Sequence, residues 1–264
     1  MSITGNSIYH ITTLDNLKNI LELKHFKINY CRETIETSNN NDYNYYFVPM
    51  VSFCDVSLSE LKPIIENYDG YGIGLKKEWA EKNKLTPVIY IERNSNLIVS
   101  LKKQYEDNLK DYVTTEAASE GQLGLIDFYR HIKNYKGTLV RKNEKEELVV
   151  IPDYLFSNER EWRYCPTKHE LGENHYLADT NLTHENIKDL KHYDKWKAEK
   201  EKLSKPISNL TLQYNLNDIS CIIIKNEEEV KLINEILKSL TKNEELISIL
   251  ISKIITTNSF FKEL

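Results

Sequence analysis

The stretch Asn158-Glu-Arg-Glu-Trp-Arg-Tyr164 places two carboxylates and a guanidinium close together. Side chains of an extended strand alternate between its two faces, so Glu159, Glu161 and Arg163 are predicted to share one face. Charges grouped in this way are costly unless they pair with one another, face water or hold a substrate. A carboxylate pair beside a cation also suits chemistry in which positive charge develops on a sugar carbon. Two interpretations stay open: an exposed strand with a salt bridge, and a catalytic carboxylate pair.

The composition is that of a folded protein without a strongly basic surface. The chain has 264 residues, 17 tyrosines, 8 glycines and 6 prolines, and its formal net charge is −5. This length suffices for a substantial hydrophobic core. The negative charge and the absence of a basic block argue against a protein that binds nucleic acid mainly by electrostatic attraction.

The cysteines and the apolar runs predict a soluble cytoplasmic protein. Cys31, Cys54, Cys165 and Cys221 are scattered, with no CxxC pair and no histidine at ligand spacing. This pattern predicts free thiols in a reducing compartment and no metal site. The amino terminus lacks a signal sequence, and no apolar run reaches membrane-spanning length, so we expect no contact with a membrane.

The beginning of the chain predicts a strand, a turn and an amphipathic helix. Residues 8–12 are β-branched and aromatic, Thr13 is a suitable N-cap, and apolar residues then recur at helical spacing. His10 and Thr12 share one face of the strand, where they could hydrogen-bond a ribose or an amide. The alternative interpretation of His10 is a partly buried histidine whose hydrogen bonds are satisfied within the protein.

A polar segment and a glycine-rich segment follow. Residues 33–46 are rich in asparagine and are predicted to form a loop. A strand is predicted at residues 47–53, where Pro49 indicates an edge or bulge position. The glycines of residues 68–74 do not have the spacing of a dinucleotide-binding fingerprint. Alternate glycines instead allow close approach of a flat ligand or of a neighbouring strand.

The remainder of the chain predicts further strands and helices, and we expect a single α+β domain over residues 1–264. Between residues 167 and 205 the sequence is strongly charged and predicts a solvated, partly helical insertion. Residues 227–264 are predicted to form a helical extension. The predicted strands are residues 87–92, 148–151, 210–214 and 219–224, and the predicted helices are residues 97–109, 123–135, 227–240 and 246–255.

Several stretches together resemble the AbiGi family. They are Tyr9-His-Ile-Thr12, Pro49-Met-Val-Ser-Phe-Cys-Asp-Val-Ser-Leu58, Tyr71-Gly-Ile-Gly-Leu75 and Glu159-Arg-Glu-Trp-Arg-Tyr164. That family is regarded as the antitoxin component of abortive-infection phage defence. The resemblance implies an antiviral role and a cognate toxin as partner, of the nucleotidyltransferase-like AbiGii type.

A more distant resemblance concerns chemistry. The opening strand is similar to the start of DarT-type DNA ADP-ribosyltransferases, which implies an ADP-ribosyltransferase-like split β-sheet surrounded by helices, with NAD as the substrate. In this resemblance Glu161 matches the catalytic acid and Glu159 would position a nucleic-acid or protein acceptor. His10 and Thr12 match the residues that bind the nicotinamide ribose in that family. The residues assigned to NAD binding are His10, Thr12, Ser52, Tyr71 and Arg163.

Two functions from different classes therefore compete. One is a cytoplasmic ADP-ribosyltransferase that modifies nucleic acid or protein, which requires His10, the glycine-rich stretch and Glu161 to converge on one cleft. The other is a non-enzymatic antitoxin or regulator that binds and restrains its toxin.

Overall fold

A computed structural model describes residues 5–36, 43–68, 70–108, 120–143, 145–178, 187 and 189–260, and these form a mixed α+β structure. Its strands are β1 Ser7–Thr12, β2 His25–Lys27, β3 Asn29–Glu36, β4 Tyr43–Cys54, β5 Tyr71–Lys76, β6 Thr86–Pro87, β7 Ile89–Ile91, β8 Ile132–Asn134, β9 Gly137–Lys142, β10 Leu148–Tyr154, β11 Glu161–Tyr164, β12 Thr211–Gln213, β13 Ile219–Ile224 and β14 Ile254–Thr256. Its α-helices are α1 Leu14–Leu23, α2 Lys62–Asn67, α3 Lys77–Lys82, α4 Asn96–Asn108, α5 Glu120–Arg130, α6 Lys168–Leu171, α7 Leu190–Ser204, α8 Glu229–Leu240, α9 Glu244–Ile251 and α10 Thr257–Phe260.

The chain contacts group into two compact units. Unit 1 comprises Met1–Phe26, Ser52–Leu85 and Leu212–Leu264, and unit 2 comprises Lys27–Val51 and Thr86–Thr211. The α+β class is confirmed. The single domain and the ADP-ribosyltransferase-like split sheet stay predictions.

Unit 1 is organised around strand β5. Antiparallel β1 and β13 flank β5, and β14 runs parallel to β13. One core cluster of this unit includes Tyr9 on β1 and Ile223 on β13, and both pack with Ile64 and Ile65 of α2. Burial of these apolar groups fixes β1 in the sheet and thereby positions the side chains that β1 carries.

The end of unit 1 corrects one predicted helix. Helix α8 is confirmed, and it buries Ile233, Ile236 and Leu237 at helical spacing. The helix predicted over residues 246–255 is too long, because α9 ends at Ile251 and the chain continues as β14. The β-branched residues that follow find an open edge of β13, and this tertiary pairing overrides helical periodicity.

The glycines of β5 are explained by their neighbouring strands. A β-carbon added at Gly74 would lie 2.7 Å from Sγ of Cys221 and 3.0 Å from Cε1 of Tyr9. The backbone of β5 therefore packs directly against side chains of β1 and β13, which confirms close strand approach as a reason for the alternate glycines.

Unit 2 contains a hairpin where the sequence predicted a loop. Strand β3 pairs with β4 in continuous antiparallel register from Asn29↔Met50 to Glu36↔Tyr43, so the loop prediction for residues 33–46 is wrong over both strands. Residues 37–42 of that prediction lie outside the described residues. The polar residue Glu33 belongs to β3 because a buried cation compensates its charge, as described below.

Pro49 lies inside a strand with neighbours on both sides, so its predicted edge position is wrong. It pairs with Tyr30 of β3, and β11 neighbours β4 as well. Phe47 exchanges two backbone hydrogen bonds with Ala178, of 2.7 and 2.9 Å, so its N–H points away from β3. The nitrogen of Pro49, two residues further along, points to that same side. The proline therefore removes no hydrogen bond from the β3–β4 ladder.

Two more predicted elements of unit 2 are divided. The strand predicted over residues 87–92 forms β6 and β7, and the helix predicted over residues 123–135 ends at Arg130. The chain then forms β8, which runs parallel to β7 with Ile89 opposite Ile132. These boundaries are set by pairing between segments that are distant in sequence. Local periodicity does not reveal such pairing.

The charged segment contributes to the packing of unit 2. It is partly helical, as predicted, with α6 and α7 among its elements. Helix α7 packs on β3, where the backbone N–H of Tyr30 donates to Oγ of Ser204 at 3.0 Å. Trp196 of α7 also approaches the guanidinium of Arg32, 6.0 Å from the ring centroid.

Substitution Gly74→Ala is expected to lower the free energy of unfolding by about 1–3 kcal/mol, because a packed interior must move to accept the methyl group. Gly124→Ala in α5 is the matched control, since a β-carbon there meets nothing within 4 Å. It should raise stability by roughly 0.5–1 kcal/mol through helix propensity. Urea unfolding followed by circular dichroism measures both, and equal effects would contradict the packing explanation.

Candidate functional site

The centre of the site is Arg163 on strand β11, whose side chain is completely buried. Its Nε donates to Oε1 of Glu161 at 2.7 Å, and its Nη1 donates to the carbonyl oxygen of Arg130 at 2.8 Å. Nη2 lies 2.9 Å from Oε1 of Glu33 as an ion pair that is not aligned as a hydrogen bond. Two segments distant in sequence, with Glu161 of the same strand, thus surround one guanidinium.

Lys133 on strand β8 is the second cation of this buried cluster. Its Nζ donates to Oε2 of Glu161 at 2.6 Å and lies 3.6 Å from Oε2 of Glu159. The other oxygen of Glu159 accepts a hydrogen bond from the hydroxyl of Tyr154 at 3.0 Å. We call Glu33, Lys133, Glu159, Glu161 and Arg163 the charge cluster.

The exposed-strand interpretation of this motif is wrong. Glu161 is 4% exposed and Arg163 is 0% exposed, while the intervening Trp162 is half-buried, so the predicted alternation holds within β11. Glu159 does not belong to the strand, because it ends a 3-10 helix and Arg160 then turns the chain with φ 47°. The prediction that Glu159 shares a strand face with Glu161 is therefore wrong, although both glutamates approach Lys133.

Burial and ion pairing act in opposite directions on the pKa of each member. Burial would raise the pKa of Glu161, but Arg163 and Lys133 outweigh it and hold this pKa at about 2. Burial dominates at Glu33, where it raises the pKa despite Arg163 and Lys133. Burial would lower the pKa of Lys133, yet the surrounding carboxylates raise it. Glu161 is therefore ionised at neutral pH, whereas burial makes Glu33 easier to protonate than an exposed glutamate.

The other predicted site residues belong to unit 1. Nδ1 of His10 donates to the carbonyl oxygen of Ser52 at 2.9 Å, and the ring packs 5.2 Å from Phe26 and 5.6 Å from Phe53. Burial lowers the pKa of His10, which favours the neutral ring. This is the partly buried histidine that the sequence left open as the alternative, with Nδ1 committed to a structural hydrogen bond.

Thr12 and Tyr71 also come together in unit 1, as register partners of β1 and β5. The hydroxyl of Tyr71 donates to Oε1 of Glu229 at 2.7 Å, so it is engaged within the unit. The structure thus gathers His10, Thr12, Ser52 and Tyr71 in unit 1, and Glu159, Glu161 and Arg163 in unit 2. The convergence of the two sets on NAD stays a prediction.

Comparison with known proteins places the charge cluster within a family. Residues 24–225 match the family model described as "Putative abortive phage resistance protein AbiGi, antitoxin". The chain belongs to the AbiGi family. Abortive phage resistance protein AbiGi of Lactococcus lactis subsp. cremoris is 27% identical over 149 residues, which cover 52% of this chain and 60% of that relative. The chain thus spans less than two thirds of that relative's length, and no solved structure matches it.

The matched range has a consequence for the site. Glu33, Lys133 and the β11 residues all lie within residues 24–225 of the AbiGi match, whereas His10 and Thr12 precede it. The part of the chain that carries the family likeness therefore contains the whole charge cluster and only part of the predicted NAD site.

Sequence reasoning missed two members of the charge cluster. Glu33 was assigned to a loop, and Lys133 to the last turn of a helix. A weak sequence signal was present around Glu33, since residues 28–35 include Ile28, Tyr30, Thr34 and Ile35 and contain no glycine or proline. The sequence around Lys133 does not distinguish it from a solvent-exposed lysine. Only the pairing of β8 with β7 reveals its position.

The described part of the chain has neither a metal-binding cluster nor a helix that could cross a membrane. No group of three or more His, Cys, Asp or Glu side chains there is placed to hold a metal ion. No helix among those residues combines the length and apolar character needed to cross a membrane. All four cysteines lie in that part, and none of them forms a disulfide.

Arg163→Met is expected to lower the free energy of unfolding by about 3–5 kcal/mol, because it leaves buried carboxylates without their cation. Arg160→Met is the matched control, since Arg160 is only half-buried and precedes the strand. It should change stability by less than about 0.5–1 kcal/mol. Chemical denaturation measures both variants, and similar losses would show that the charge cluster is not the stabilising element.

Glu161→Gln is expected to destabilise the protein more at pH 7 than at pH 3. The folded pKa of Glu161, about 2, lies below its unfolded value, so the stability from ionisation is present above the unfolded pKa. That stability is lost as the pH falls toward the folded pKa. The unfolding free energies of wild type and variant, measured from pH 7 to pH 3, give this difference. A difference that is larger at pH 3 than at pH 7 would contradict the lowered pKa of Glu161.

Proposed function

We propose that this protein is an abortive-infection antitoxin that binds and restrains a cognate toxin of the nucleotidyltransferase type, without covalent chemistry of its own. The observation that carries this proposal is the engagement of Glu161. Both of its carboxylate oxygens are bonded to buried or nearly buried cations, at 2.6 and 2.7 Å, and the side chain is 4% exposed. The family description, which names an antitoxin, supports the same function.

A carboxylate that stabilises a glycosyl-transfer transition state must contact the sugar. For Glu161 this contact would require breaking its bond to Arg163 or to Lys133. Exposing one partner of a buried pair costs about 3–5 kcal/mol, because the other charge is left uncompensated. The charge cluster is therefore better suited to fixing the fold of unit 2 than to turning over a substrate.

The second candidate is the NAD-dependent ADP-ribosyltransferase, with NAD as substrate and nucleic acid or protein as acceptor. It is favoured by the ionised state of Glu161, whose pKa of about 2 suits a residue that stabilises an oxocarbenium-like sugar. The hydrogen bond from Nδ1 of His10 to Ser52 also leaves Nε2 as an acceptor for a ribose hydroxyl. In this candidate function Glu159 positions the acceptor and Arg163 contacts NAD.

Co-expression with an AbiGii-type nucleotidyltransferase toxin tests the proposed function. We expect this protein to restore growth and to co-purify with the toxin as a complex. Purified wild type, incubated with radiolabelled NAD and cell extract, should neither transfer label nor hydrolyse NAD. Failure to bind or to protect against the toxin, together with label transfer, would replace the antitoxin proposal with the enzyme.

His10→Asn separates the two candidates without removing a buried charge. The asparagine amide can still donate to the carbonyl oxygen of Ser52, while the position of Nε2 is lost. The antitoxin proposal expects unchanged protection from the toxin. The enzyme requires loss of label transfer, and protection that disappears along with that transfer would overturn the proposal.

A further inference from the structure

Strands β9 and β10 form a ribbon of unit 2 that is a sheet of its own in the described part of the chain. Its register is antiparallel, with Val150 opposite Val140 and Ile151 opposite Leu139. The turn is closed by the Asn143 side chain, whose Oδ1 accepts from the backbone N–H groups of Lys145 and Glu147 at 3.0 and 2.9 Å. The ribbon is therefore ordered, although only two strands build it.

The ribbon is apolar on both faces but contributes little to the core. Val150 is 50% exposed, and each of the other apolar residues of its two paired segments is half-buried. These residues are Leu139, Val140, Leu148, Val149 and Ile151. By contrast, β3 of the same unit buries Tyr30 and Ile35 almost completely. A two-stranded ribbon in water is only marginally stable, and a third strand or a packed helix can complete it. Asp194 of α7 pairs with Lys142 at one end of the ribbon.

The outer edge of β10 is open to such a strand. Among the described residues, no backbone hydrogen bond joins residues 148–151 to any segment other than β9. An open row of N–H and C=O groups is a template for an added strand. The edge ends at Pro152 and at Asp153, whose φ of 56° is left-handed, and the pairing with β9 shifts there. The available edge is thus short and has a defined end.

The charges beside this edge are already paired within the unit. Lys142 lies 2.9 Å from Asp194, and Asp153 lies 3.2 Å from Arg93 and 3.3 Å from Lys136. Residues 148–151, which form the edge itself, carry no charged side chain, which disfavours nucleic acid as the occupant. An uncharged, apolar, extended polypeptide complements it best.

We propose that the outer edge of β10 binds an extended apolar segment of the toxin as a third strand of the ribbon. Main-chain hydrogen bonds to residues 148–151 supply affinity, and Val150 contacts an apolar side chain of the added strand. This inference rests on the proposed function, because it assigns the surface through which the antitoxin holds its toxin.

Val150→Lys tests the inference in a binding assay with the purified AbiGii-type toxin. We expect the Kd to rise about tenfold or more, because a charge must be desolvated at a hydrophobic contact. Val150→Thr keeps the β-branched shape and should bind nearly as wild type does. Leu97→Lys is the matched control, since Leu97 of α4 is 53% exposed in the same unit and lies outside the ribbon. Its Kd should not change.

The outcomes distinguish a failure of the proposed β10 binding surface from a failure of the proposed antitoxin function. If wild type does not bind the toxin, the proposed function fails. If wild type and Val150→Lys bind the toxin equally well, the surface is wrong while the function stands. Sedimentation velocity of the protein alone provides a further test: an oligomer that Val150→Lys dissociates would assign the edge to a second copy and overturn the inference. Loss of co-purified nucleic acid in that variant would overturn it as well.

Discussion

The guanidinium of Arg163 is removed entirely from water, and its charge must be compensated by neighbours that the local sequence supplies only in part. One carboxylate comes from two residues away on β11, a second from β3, and a carbonyl oxygen from the end of α5. Because a buried charge without partners costs several kilocalories per mole, these segments are held in a fixed arrangement around it. Lys133 extends the same constraint to β8.

This arrangement shows why charged motifs are ambiguous in a sequence. A catalytic carboxylate and a structural one can both be buried near cations, and both can have a shifted pKa. They differ in whether an oxygen atom remains for a substrate. In Glu161 both oxygens are bonded within unit 2. The description of the AbiGi family names an antitoxin, which is the function proposed above.

Local patterns located most elements but not their ends. The N-cap at Thr13, the apolar face of α8 and the alternation of Glu161 and Arg163 depend on neighbours within one turn or one strand. The hairpin of β3 and β4 was predicted as a loop because residues 33–46 are polar and rich in asparagine, and the cation that compensates Glu33 in β3 comes from distant β11. Strands β8 and β14 were mistaken for helix ends because their partners, β7 and β13, come from elsewhere in the chain.

The amino-acid sequence by itself determined the α+β class, the grouping of charges around β11 and the resemblance to AbiGi, since each is written in short stretches of residues. Only the tertiary structure decided how those charges are paired and buried. It brought Glu33 and Lys133 to Arg163, buried the set, and left the apolar β9–β10 ribbon half-exposed. The physical reason is that the energy of a charge depends on its solvent exposure and its partners in space, and neither is a property of local sequence.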